Sequence, residues 1–178
     1  MHTGSGTVFE QEHLVIIGID PGTIVTGYGV VKISGSDYSA IDYGCIKPPP
    51  QKKLSDRYLI IFEGIEELLA RHKPHVVVLE TQFVNKNPQS AIKLGMARGI
   101  AILAAKKASL PVFEYTPARA KKAIVGNGQA SKQQVQWMIK TRLNLKELPT
   151  PQDAADALAL ALCHAQTSKI PTLQPKEI

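Results

Sequence analysis

Leu14-Val15-Ile16-Ile17-Gly18-Ile19-Asp20-Pro21-Gly22-Thr23-Ile24-Val25-Thr26-Gly27-Tyr28-Gly29 decides the fold. Leu14 to Ile19 is a short, nearly continuous apolar run rich in β-branched residues, the pattern of a strand buried on both faces. The run ends on a carboxylate, Asp20, and turns at once, because Pro21 fixes φ and Gly22 permits a sharp bend. A second β-rich run, Gly27 to Ile33, follows closely enough to return as a hairpin neighbour. Asp20 is thereby expected at the end of a central strand, at the mouth of the sheet. A lone carboxylate there is costly unless it is paired, hydrogen-bonded or on a metal. The alternative is a structural role, with Asp20 capping the turn through Thr23 or a backbone amide.

Tyr38 to Ile46 continues the meander as a third strand, and Pro48, Pro49 and Pro50 end it. Leu54 to His72 places Leu54, Tyr58, Ile61, Ile65, Leu68 and Leu69 on one helical face, and Pro74 stops that helix. His75 to Leu79 is another apolar run, and it too ends on a carboxylate, Glu80. Strand, helix, strand is an α/β signature, and a helical crossover makes its strands parallel. Thr81 to Gln89 is a polar loop around Phe83 and Val84. Ser90 is expected to cap a helix to about Ala108, and Pro111 to Tyr115 is a short strand. Thr116 caps the next helix with Pro117 in its first turn, Gly126 and Gly128 break it, and Ser131 with Gln134 forms a capping box for another. The last helix takes Thr150 as cap and runs, rich in Ala and Leu, to about Gln166. Trp137, the only Trp, lies among Val135, Met138 and Ile139 and is read as core.

With 178 residues the chain is expected to be one domain, residues 14–167, with a flexible N-terminal extension at 1–13 (native or a cloning remnant) and a flexible tail at 168–178. No apolar run is long enough to cross a bilayer and no secretory pattern is present, so a cytoplasmic protein without a membrane partner is expected. Cys45 and Cys163 are far apart and read as reduced structural thiols. The net charge of +6 hides an asymmetry. From Thr81 to Leu143 eleven Lys or Arg face the single acid Glu114, a net +10, which leaves −4 on the rest. A basic middle of this kind suits a polyanion, nucleic acid before membrane.

Sites in open α/β sheets lie at the carboxyl ends of strands, where both Asp20 and Glu80 are placed. Asp153-Ala154-Ala155-Asp156 adds two carboxylates one turn apart on one helix face. Acids at a helix start also simply complement its dipole, and Thr-x-x-Asp resembles a capping box. Four carboxylates cannot converge unneutralised, and an oxygen-only ligand set suits Mg²⁺ or Mn²⁺ rather than zinc. Such a set can hold two ions roughly 4 Å apart, the arrangement for phosphodiester hydrolysis. An acidic metal site in a basic chain is what a nuclease needs.

Asp20-Pro21-Gly22-Thr23 with Gly27-Tyr28-Gly29, Glu80 followed by Phe83, Ala91-Ile92-Lys93-Leu94-Gly95 through Arg98-Gly99, Gly126-Asn127-Gly128-Gln129-Ala130-Ser131-Lys132, and Asp153-Ala154-Ala155-Asp156-Ala157-Leu158 together resemble the RuvC family of Holliday-junction resolvases. The resemblance implies a ribonuclease-H-like mixed five-stranded sheet flanked by helices, a homodimer, and Mg²⁺-dependent paired nicking of four-way DNA junctions in recombination and repair. It also implies the RuvA–RuvB branch-migration complex as partner. Asp20, Glu80, Asp153 and Asp156 match the family's catalytic, metal-holding carboxylates, with two Mg²⁺ per site and Mn²⁺ as substitute. Lys121 and Lys132 match positions near the DNA backbone and Phe83 the aromatic at the junction; Lys86 and Lys122 are added as DNA contacts. Arg119 has no matching position. The helix carrying Ala91, Gly95, Gly99 and Ile102 is the expected dimer face, its small residues offering a surface almost without side chains. Three other readings stand beside this one: an actin-like or sugar-kinase ATPase lobe, a ribonuclease-H-like RNA nuclease, and a basic DNA-binding module with structural acids.

Overall fold

The structure is a computed structural model, and it describes residues 13–81, 88–169 and 177–178. Its frame is a five-stranded sheet in the order β3-β2-β1-β4-β5. The strands are β1 (Leu14–Asp20), β2 (Thr26–Ser34), β3 (Asp37–Ile46), β4 (Val76–Glu80) and β5 (Val112–Tyr115). β1, β2 and β3 form the antiparallel meander, and β4 and β5 join parallel to β1. The helices are α1 (Leu54–His72), α2 (Pro88–Lys107), α3 (Pro117–Val125), α4 (Lys132–Arg142) and α5 (Gln152–Thr167). This is the mixed sheet of a ribonuclease-H-like domain.

Two apolar clusters lie on opposite faces of the sheet. On one, Ile17, Ile19, Val77 and Leu79 meet α1 and α2; on the other, Ile16, Val31, Val78 and Tyr115 meet α3, α4 and α5. β1 supplies both because alternate side chains point to opposite faces, which is why its sequence is apolar throughout. α5 is the helix most deeply enclosed, with Ala154, Ala155 and every residue from Ala157 to Ala165 buried. It lies almost on the backbone of β1 and β2. A Cβ added at Gly18 would overlap the Ala157 carbonyl, and one at Gly27 the Asp153 carbonyl; at Gly29 it would come within 2.7 Å of the Leu158 nitrogen. Gly18 and Gly29 are register partners, and Gly27 is the partner of Asp20. Three glycines on adjoining strands thus form the floor that α5 occupies.

Several local expectations are met and others are corrected. Thr116 accepts the Arg119 amide at 3.1 Å, Gly126 closes α3 in the left-handed region at φ +83°, and Ser131 with Gln134 makes the capping box. Ser90 is not a cap, because α2 already begins at Pro88. Thr150 does not cap α5 either: Pro151 occupies that position and contributes no side-chain hydrogen bond. Trp137 is not core but 58% exposed. α4 buries Val135 and Ile139, and Trp137 stands two residues from each, about 200° round the helix and so on the opposite face. In the stretch expected to be a flexible tail, the described residues 177–178 lie against β5: Glu177 bridges Phe113, the Ile178 amide donates to the Val112 carbonyl at 3.0 Å, and Glu177 pairs with Lys106 at 3.1 Å.

α2 packs on the domain through a face other than its glycines. Its sheet-facing side is Ala97, Ala101, Ala104 and Ala105, all buried. Gly95 and Gly99 are exposed, with nothing within 4 Å of an added Cβ, so they do not serve packing within the chain. Ala91 and Ile102 are half-buried. The outward face is not bare of side chains as expected: Ile92 is 64%, Met96 50% and Leu103 61% exposed beside the glycines. A stripe at positions 92, 96, 99 and 103 has the spacing of one helix face and is apolar along its length.

Candidate metal-dependent nuclease site

Asp20 and Glu80 close two neighbouring parallel strands whose last register pair is Ile19 with Leu79, so the two carboxylates leave the sheet side by side. Asp153 and Asp156 occupy the first two turns of α5, and the overlap-free passage of that helix across Gly27 sets Asp153 over the strand pair that carries Asp20. The four acids sense one another. Burial pushes Asp20 up to about 8, reinforced in order by the charges of Glu80, Asp156 and Asp153. Burial and then Asp156 push Glu80 up to about 7. Asp156 is also raised, by burial first and Asp153 after Lys132 has partly offset it.

Two lysines answer this concentration of charge. Lys132, the first residue of α4, lowers Asp20, Glu80 and Asp156; Lys121, on α3, lowers Glu80 and Asp156. Lys122, next to it, is exposed and acts on none of these carboxylates. Phe83 and Lys86 lie outside the described residues. Arg119 sets its guanidinium 5.0 Å from the centroid of the Tyr115 ring.

The turn after Asp20 is held by residues that the sequence did not single out. The buried Thr26 hydroxyl donates to the Gly22 carbonyl at 2.7 Å and accepts the Gly22 amide at 3.3 Å. Arg57 of α1 donates to the Thr23 carbonyl. Thr26, rather than the Asp20 carboxylate, therefore closes the turn, which leaves Asp20 to face the other acids. Cys45, read as a reduced structural thiol, lies beside the site. It is paired across the sheet with Gly27, and burial followed by the charge of Asp153 pushes its thiol up to about 11. Only strand register could have placed it there, since it lies far in sequence from all four of the site's carboxylates.

Among the described residues no three Asp, Glu, His or Cys side chains are gathered into a finished ligand set for one ion. The chemistry of the acids nonetheless fits a hard divalent cation: the donors are carboxylate oxygens, they are partly buried, and their mutual repulsion is what a cation relieves. No helix among the described residues is long and apolar enough to cross a membrane.

The family model for crossover junction endodeoxyribonuclease RuvC matches residues 16–164. A protein of that description from Protochlamydia amoebophila is 60% identical over 156 residues, covering 88% of this chain and 93% of its own length. One from Chlamydia abortus is 50% identical over 157 residues, covering 86% and 95%. The structure of Thermus thermophilus RuvC in complex with Holliday junction substrate superposes with a TM-score of 0.85 at 36% identity, covering 92% of this chain and 99% of that one.

The raised carboxylates have a consequence for metal-free protein. Between the ordinary carboxylate value near 4 and about 8, the native state keeps a proton on Asp20 that the unfolded state has lost. The native state binds more protons in this window, so stability falls as pH rises through it. Thermal unfolding in chelator is expected to show a lower Tm at pH 8 than at pH 5.5, and Asp20→Asn is expected to flatten that slope. An equal or steeper slope in Asp20→Asn would remove Asp20 from the coupled group.

Proposed function

The chain belongs to the crossover junction endodeoxyribonuclease RuvC family, and we propose that it resolves four-way DNA junctions by paired nicks at the site built from Asp20, Glu80, Asp153 and Asp156. The observation that carries this reading is the electrostatic coupling of four acids from two strand ends and one helix, with two lysines at their margin. These acids would hold two Mg²⁺ ions, replaceable by Mn²⁺, which would supply Lewis-acid activation of water and charge neutralisation at the leaving oxygen. The protein's own share of the work is positional. Thr26 and Arg57 fix the turn that presents Asp20, and the glycine floor fixes the height of Asp153 and Asp156 above it. Lys121 and Lys132 hold the phosphates of the strand to be cut, each adding roughly 0.9 to the log–log salt slope of binding. The two unpaired cysteines suit the reducing cytoplasm, where we place the protein.

A four-way junction has two-fold symmetry, and a C2 dimer supplies two identical sites in opposite directions. The exposed stripe of α2 supports a self-complementary interface there, since Gly95 and Gly99 admit close approach while Ile92, Met96 and Leu103 give it apolar area.

Asp156→Asn is expected to abolish cleavage of a synthetic junction in Mg²⁺ while leaving junction affinity within about threefold, because a charge is lost without loss of a DNA contact. Wild-type cleavage rates in that variant would disprove the four-acid site. Gly99→Leu is expected to sediment as a folded monomer that no longer makes paired nicks. If it remains a dimer and resolves junctions symmetrically, the interface lies elsewhere.

A further inference from the structure

Outside the four-acid site, the most developed unassigned feature is a cavity of about 660 Å³ where the end of α3 meets the outer face of α4. Val125, Met138 and Trp137 give it apolar walls, and Gln133, Gln134 and Thr141 supply polar groups at its rim. Trp137 is more than half exposed, and the Lys140 ammonium stands 5.3 Å from the centroid of its ring. Trp137 therefore presents much of its ring to the cavity, where a planar ligand can lie against it.

Charge and continuity decide which ligand. Residues 116–146, which supply every residue lining the cavity, carry seven Lys or Arg and no Asp or Glu. α4 also begins at the site: Lys132, its first residue, acts on three of the four carboxylates. Helical geometry puts Trp137 about 7.5 Å along the axis and about 140° round from Lys132, and Lys140 about 12 Å along and about 80° round, between the two. At about 3.4 Å per nucleotide, those are roughly two and three to four steps along a strand whose phosphate lies on Lys132. Resting on the junction-cleaving role given above, we infer that the outer face of α4 continues the DNA-binding surface away from the reacting phosphate. Trp137 lies against the base or sugar of a nucleotide in the cavity, and Lys140 holds an adjoining phosphate. This pairing suits the site because the ring takes any base through its π face, while the ammonium beside it meets the backbone charge.

Trp137 is the chain's only tryptophan, so its emission reports this face alone. Full-length dimer is titrated with a synthetic four-way junction in chelator, following DNA anisotropy and protein emission together. Emission is expected to change with the same midpoint as the anisotropy, and acrylamide quenching to fall in the complex. Trp137→Ala is expected to weaken junction binding about tenfold and Trp137→Phe much less, both with unchanged Tm, as for loss of one stacked nucleotide. Lys140→Ala is expected to lower the log–log salt slope by roughly 0.9. A protein that binds and cuts junctions with unaltered Trp137 emission, and with wild-type affinity in Trp137→Ala, overturns this inference alone. A protein that neither binds nor cuts junctions overturns the functional reading and this one with it. An emission change produced by an acidic, aromatic-containing peptide but not by DNA assigns the cavity to a protein partner and overturns it as well.

Discussion

The contact between α5 and the bare backbone of β1 and β2 is what the rest of the structure depends on. Helices pack on sheets through side chains; here Gly18, Gly27 and Gly29 remove those side chains on the strand side, and alanines thin them on the helix side. The helix therefore descends until its carbonyls meet the sheet. Its first turn overhangs the strand pair that ends in Asp20, so Asp153 and Asp156 reach the strand-borne acids without long side chains. A helix held at the usual distance by a valine or leucine floor would leave the two pairs of carboxylates apart.

Bringing them together is unfavourable in itself. Asp20 and Glu80 are pushed well above ordinary carboxylate values, first by burial; Asp20 is raised further by Glu80 and the two α5 acids, and Glu80 by Asp156. The fold tolerates this because the surrounding frame is strong: two apolar clusters sandwich the sheet, and the turn after Asp20 is pinned by Thr26 and Arg57. Stability given up at a site and recovered elsewhere is a general mark of binding and catalytic centres. Lys121 and Lys132 reduce the repulsion only in part, which leaves the site a demand for further positive charge.

Much of this was legible in the sequence, for physical reasons that differ from element to element. β1 is legible because a strand buried on both faces must be apolar throughout, and α1 because one apolar stripe recurs over five turns. Asp20 and Glu80 are legible because each follows a buried run, and a carboxylate cannot sit far inside such a run unpaired. Side-chain orientation was less so. Trp137 sits amid apolar neighbours in sequence, yet helical geometry puts it opposite Val135 and Ile139; adjacency along the chain had stood in for adjacency in space. Cys45 approaches Asp153 only through strand register, and Arg57 reaches Thr23 only through packing of α1, neither of which leaves a local trace. Nor does sequence tell that Gly95 and Gly99 stay clear of the chain's own packing, which follows only from how α2 lies on its alanine face.

The central claim is that acids from three separate elements form one cation site. Its most direct test is Mn²⁺ binding, followed by loss of the free-ion paramagnetic resonance signal, in wild type and in Asp20→Asn, Glu80→Gln, Asp153→Asn and Asp156→Asn. The account predicts that wild type takes up Mn²⁺ and that a substitution on β1, on β4 or on α5 alike weakens uptake. Full uptake in the α5 variants, with loss confined to Asp20→Asn and Glu80→Gln, would contradict it.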